Sequence, residues 1–141
     1  HSFEIIKSTK EFVINLTPSS LVKEADYCGI YTGAKVDKFE KCKFTKVKAS
    51  TVGCPLIEEC PMNLECKVTD IVELGSHFMF IADITAINVD ESLLGEDGKL
   101  HLEKAKLAAF AHGEYFELGK KIGNFGFSVK KKKNKKNFNV T

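Results

Sequence analysis

The chain has no arginine and no tryptophan: all 21 of its basic residues are lysines. Lacking arginine, it has no planar, bidentate clamp for phosphate or carboxylate, and lacking tryptophan it has no indole on which a base could stack. Nucleic-acid binding by the body of the protein is disfavoured, and no nucleic-acid partner is expected. Long apolar runs are also missing. No stretch approaches the roughly 20 residues that cross a bilayer as a helix, and the N-terminus lacks the basic, apolar and small-residue succession of a secretory signal. No membrane association is expected.

The five cysteines, Cys28, Cys42, Cys54, Cys60 and Cys66, are an odd set without the C-x2-C pairs of structural zinc sites. Along a strand, five-residue spacing from Cys54 to Cys66 puts successive sulfurs on opposite faces, so no metal is expected there. These cysteines read as small, buried apolar residues in a reducing cytoplasm.

What is present fits one domain with a single core: 141 residues, 43% of them apolar. Charge is unevenly placed. Six lysines lie between Lys130 and Lys136, and without them the formal charge falls from +2 to −4. An acidic body of residues 1–128 and a lysine-rich tail of 129–141 follow, the tail reading as a solvated end.

The opening "SFEIIKSTKEF" predicts a short amphipathic helix with Ser2 as cap and Phe3 and Ile6 on one face. "EFVINLT" alternates as a strand, with Phe12, Ile14 and Leu16 toward the core, and Pro18 ends it. A second helix is expected in "SSLVKEADYCGIYTG", capped by Ser19 or Ser20. A third, shorter helix or a turn is expected in "KVDKFEKC", with Asp37 as cap and Phe39 inward. "NLECKVTDIVELG" and "HFMFIADITAINVD" predict a long hairpin turning at Gly75-Ser76. Its first strand alternates Leu64, Cys66, Val68 and, after a bulge, Ile71; the second is apolar enough to be covered on both faces. A turn in "GEDGKL", a short loop or helical turn in "HLEKAK", a strand in "LAAFAH" and the aromatic and glycine-rich segment "EYFELGKKIGNFGFS" complete the body. The fold class is mainly β with helical excursions, a small antiparallel barrel. Five or six strands are few for closure, and the chain opens directly in a helix without Met, so missing upstream strands are expected.

Little of the sequence announces chemistry. The glycines of "GKKIGNFG" do not sit between a strand and a helix of a βαβ unit, so they read as turn glycines. There is no nucleophile elbow and no HExxH helix. Of His1, His77, His101 and His112, His77 stands out because it follows the Gly-Ser corner and emerges at a strand end, where a barrel presents groups to a ligand.

Five blocks, "HSFEIIKSTKEFVINL", "DYCGIYTGAKVDKF", "CPLIEECPMNLECKV", "ELGSHFMFIADITAI" and "GEYFELGKKIGNFGFS", in that order resemble the flavin reductase-like, FMN-binding split barrels, within them the flavoredoxin type. The resemblance runs from His1 to about Ser128. It implies a split β-barrel that lacks its N-terminal strands here, with FMN as cofactor in a homodimer. It also implies four flavin-contacting residues: Ser2 at the phosphate end, beside a helix N-terminus, Lys38 in the "DKF" block, His77 of "GSH" and Phe110 of "LAAFAH". The activity it implies is reduction of flavin by NAD(P)H or electron transfer with a redox protein partner. Without arginine the most effective clamp for a nicotinamide phosphate is gone, so both activities stay open. A different class of reading keeps the barrel as a non-enzymatic binding or interaction module without flavin.

Overall fold

The computed structural model describes residues 1–130; the lysine tail lies, from residue 131 on, outside the described residues. Helix α1 (Ser2–Thr9) ends at Lys10, which takes a left-handed conformation and closes the helix by donating its N–H to the Ile6 carbonyl. The chain then enters β1 (Glu11–Asn15). Beyond Pro18 come a 3-10 turn (Ser19–Leu21), α2 (Val22–Ile30) and the short α3 (Lys38–Cys42). Asp37 caps α3 as expected, accepting from the backbone N–H of Phe39 at 2.9 Å and of Glu40 at 3.2 Å. The expected caps at Ser2 and at Ser19 or Ser20 do not form: His1 and Pro18 precede the respective first turns, and Ser2 lies within α1.

Strands β2 (Lys46–Val47) and β3 (Leu56–Ile57) pair with each other. The long hairpin is present as β4 (Met62–Glu73) and β5 (Phe78–Val89). Gly75 supplies the positive φ, +78°, that its tight corner needs. The hairpin register slips at Glu65/Cys66 and again at Val68/Asp70, so the expected bulge lies before Ile71. Two 3-10 turns (Glu91–Leu93, Leu102–Ala105) lead to a second hairpin, β6 (Ala108–Ala111) and β7 (Glu114–Glu117), which turns on His112 and Gly113, both at positive φ.

The central sheet has the order β1-β4-β5, all antiparallel, so among the described residues β5 is its edge. That corrects the expectation of a strand covered on both faces: Ile81, Ile84 and Ile87 are each about half exposed. The inward face of β1 is also the opposite of the expected one. Val13, not Ile14, packs on the buried cluster of Ala49, Val52 and Leu56, while Ile14 is exposed. The polar neighbours of Val13 explain the choice. Glu11 accepts from the Gly53 N–H at 2.7 Å, and the Asn15 side chain accepts from Asn63 at 2.7 Å and from the Ile57 N–H. Turning Phe12 and Ile14 inward would strand these backbone donors.

The deepest side chain on that inner face is a carboxylate. Glu65 is fully buried on β4 and accepts from five donors: the N–H and hydroxyl of Ser50, the N–H and hydroxyl of Thr51, and the Asn88 amide. The Ser50 backbone donor is the largest influence holding its carboxyl well below the usual carboxylate range; burial opposes it, and the Thr51 and Asn88 donors reinforce it. Through Glu65, β4 grips the loop between β2 and β3 and also reaches β5.

Candidate functional site

A broad depression of about 560 Å³ opens between the first turn of α1 and the loop joining α2 to α3. His1, Ser2 and Ile5 form one side, and residues 33–39 the other, with Lys35 and Lys38 among them. The loop approaches closely: a side chain added at Gly33 would meet the His1 ring at 3.3 Å. At the start of α1 the first backbone N–H groups have no partner within the helix, giving the depression donors and a partial positive charge. Two ammonium groups and a helix N-terminus suit an anionic group such as a phosphate.

Lys38 has a second duty. Its Nζ donates to the Cys28 carbonyl oxygen at 2.6 Å, satisfying one of the carbonyls that the end of α2 leaves open. The ammonium is thereby held between the C-terminal end of α2 and the depression. Asp37 also lines the depression, but its carboxylate is committed to capping α3.

Of the four residues expected from sequence, Ser2 and Lys38 therefore share one depression, while His77 and Phe110 do not line it. His77 lies at the hairpin corner with its Nδ1 2.7 Å from the Ser76 hydroxyl. It is nevertheless tied to the start of α1, because its neighbour Phe78 stacks on Phe3 with ring centroids 4.0 Å apart. Phe110 lies on β6, well exposed, packed on Tyr115 at 4.9 Å. Tyr115 donates to Asp26 on α2 at 3.0 Å, so Phe110 is linked to the helix that anchors Lys38. Burial, and then this bond to Asp26, push the Tyr115 phenol above its ordinary range.

Lys35 and the approach at Gly33 were not singled out from sequence. The signal available was the "GAK" preceding "VDK", which puts a second lysine three residues before Lys38 and two after a residue without a Cβ. The expectation that the cysteines are buried, small apolar residues holds for Cys60 and Cys66; Cys28, Cys42 and Cys54 are only half-buried. No group of three or more metal-binding side chains occurs among the described residues. None of the described helices is long and apolar enough to cross a membrane.

Comparison with known proteins places these features in a family. A flavoredoxin of Desulfovibrio vulgaris (Miyazaki F) superposes with a TM-score of 0.85 at 32% identity, over 92% of this chain and 70% of that one. A flavoredoxin of Methanosarcina acetivorans superposes with a TM-score of 0.79 at 30% identity, over 92% and 71% of the two chains. An uncharacterised protein of Archaeoglobus fulgidus is 35% identical over 99 residues, covering 70% of this chain but 55% of its relative. The chain thus spans little more than half the length of that curated relative. Residues 1–119 match the flavin reductase like domain. The chain therefore belongs to the flavin reductase-like domain family, and its mainly β fold is of the split-barrel type.

Proposed function

We propose that this chain binds FMN and serves as a flavoredoxin-type electron-transfer protein, the phosphate end of the cofactor lying in the depression between α1 and the 33–39 loop. The observation that carries the reading is the pairing of Ser2 and the α1 N-terminus with Lys35 and Lys38 across one concave surface. The family typically binds flavin. The depression offers a phosphate backbone N–H donors, a hydroxyl and two ammonium groups.

When bound, FMN supplies the two-electron redox chemistry. The residues bind and orient. Lys38, steadied by the Cys28 carbonyl, neutralises anionic charge; Ser2 donates a hydroxyl; His77 and Phe110 are assigned to the side away from the phosphate. The absence of arginine favours electron exchange with a redox protein over capture of a nicotinamide phosphate, although NAD(P)H:flavin reduction is the neighbouring activity to test. The reading carries a homodimer with it. Ile14 on β1 and Ile84 and Ile87 on β5, exposed on the two outer strands of the central sheet, supply an apolar face for a second copy.

Titration of the purified chain with FMN, followed by quenching of flavin fluorescence, tests the proposal. Lys35→Ala and Lys38→Ala are each expected to weaken FMN by about tenfold or more, and His77→Ala by less, with unchanged far-ultraviolet circular dichroism. A chain that ignores FMN under all conditions would instead support the non-enzymatic binding module. Binding that none of the three substitutions weakens would remove the site.

A further inference from the structure

The Sγ atoms of Cys28, in the last turn of α2, and Cys42, at the end of α3, lie 3.8 Å apart. They are 14 positions apart in sequence, both are half-buried, and neither is bonded to the other. Between them in the chain lie residues 33–39, one wall of the depression, and Lys38, whose ammonium sits on the Cys28 carbonyl. Cys60 and Cys66 are a contrast. Both are buried and closed to a small disulfide, whereas Cys28 and Cys42 are half-buried; burial pushes the Cys60 thiol up to about 11 and raises those of Cys66 and Cys42 as well.

We propose that Cys28 and Cys42 are a reversible dithiol/disulfide pair that staples the 28–42 segment and so sets the rigidity of the lysine-bearing wall of the depression. The sulfurs need to approach by about 1.8 Å to reach bonding distance, a movement that χ1 rotation of two side chains at helix ends can supply. Burial, and then the hydrogen bond to Cys28, raise the Cys42 thiol above its ordinary value, with Lys38 only the smallest and opposing influence, so what favours the reaction is the proximity of the two sulfurs. The oxidant is a low-molecular-weight disulfide. The thiolate of one cysteine attacks a sulfur of that disulfide and expels one small thiolate, leaving a mixed disulfide on the protein. The second cysteine's sulfur then displaces the other small thiolate, forming the Cys28–Cys42 bond. Two protein thiols are oxidised, one small disulfide is reduced to two thiols, and the two protein protons end on those thiols. Pairing is independent of the flavin assignment; only its effect on cofactor affinity rests on that reading.

The test equilibrates the full chain in buffers of graded reduced-to-oxidised glutathione, traps free thiols by alkylation, and maps the products by mass spectrometry. One intramolecular bond is expected, with the mass lower by two hydrogens and a peptide cross-link joining Cys28 to Cys42 that excess dithiothreitol reverses. Amide exchange across residues 31–37 should slow by about tenfold in the oxidised form. Cys42→Ser and Cys28→Ser should each abolish both changes. Separate alkylation or stable glutathionylation of the two cysteines in fully oxidised glutathione would overturn the proposal, as would a cross-link to any other cysteine. Unchanged exchange in the cross-linked protein overturns the staple. If FMN binds, oxidation should tighten it by up to about tenfold in the parent and leave Cys42→Ser unaffected. Failure to bind FMN in either redox state counts against the flavin site, while the cross-link map still decides the cysteine pair.

Discussion

Glu65→Ala is expected to unfold at a temperature lower by about 10 °C or more, the largest loss from any single side-chain truncation in this chain. The reason is the number of groups abandoned at once. The N–H groups of Ser50 and Thr51, their hydroxyls and the Asn88 amide all donate to this fully buried carboxylate, and a methyl group leaves all five without their acceptor. Glu65→Gln keeps the shape but puts two N–H donors where one oxygen accepted, so it should fall between parent and alanine variant. The pH dependence provides a separate signature. Because the Ser50 backbone donor and its companions depress the folded-state pKa of Glu65, its contribution is complete above the unfolded carboxylate range, about 4.3, and is lost as the pH falls below it. Urea midpoints measured between about pH 6 and pH 3 should fall for the parent and much less steeply for Glu65→Gln. Parallel curves for the two proteins would contradict the assignment.

The second large effect is expected at Asn63, buried on β4 opposite Asn15 of β1. Its Nδ2 donates to the Asn15 side-chain oxygen at 2.7 Å and to the Ile57 carbonyl at 3.1 Å, while Asn15 also receives the Ile57 N–H. Three segments thus meet at one amide. Asn63→Ala removes both donors and opens a small void, so a loss of about 2–3 kcal/mol in urea unfolding is expected. Asn63→Leu is expected to be no better, because it fills the void while taking one of two donors from the Asn15 oxygen and the Asn63 donor from the Ile57 carbonyl. Recovery of parental stability by leucine would show that volume, and not hydrogen bonding, holds these segments together.

Glu65 and Asn63 also mark where reading the sequence stopped short. The hairpin of β4 and β5, its Gly75 corner, the bulge before Ile71 and the Asp37 cap were legible because each depends on neighbours in the chain. The inward face of β1 was not. Period-two alternation separates Phe12 and Ile14 from Glu11, Val13 and Asn15, yet it cannot say that distant N–H groups of Gly53 and Ile57 will recruit the polar set. For the same reason Asn63 and Glu65, on either side of Leu64, passed as outward-facing residues. At the site, order and side-chain type were enough to single out Ser2 and Lys38, which share the depression. The contact between Cys28 and Cys42 was invisible, since it is made by the packing of α2 against α3 and not by any spacing motif.

An interior built this way also has a calorimetric consequence. Among the described residues the buried apolar set is Ala49, Val52, Leu56, Cys60, Cys66, Leu93 and Ala105, none of them aromatic, and it shares the interior with Glu65 and Asn63. Exposing apolar surface raises the heat capacity on unfolding, whereas exposing polar surface lowers it. Scanning calorimetry should therefore give a heat-capacity increment below the usual value of about 12–15 cal/mol/K per residue. The stability curve would be correspondingly shallow, changing little as the protein is cooled or warmed around its optimum.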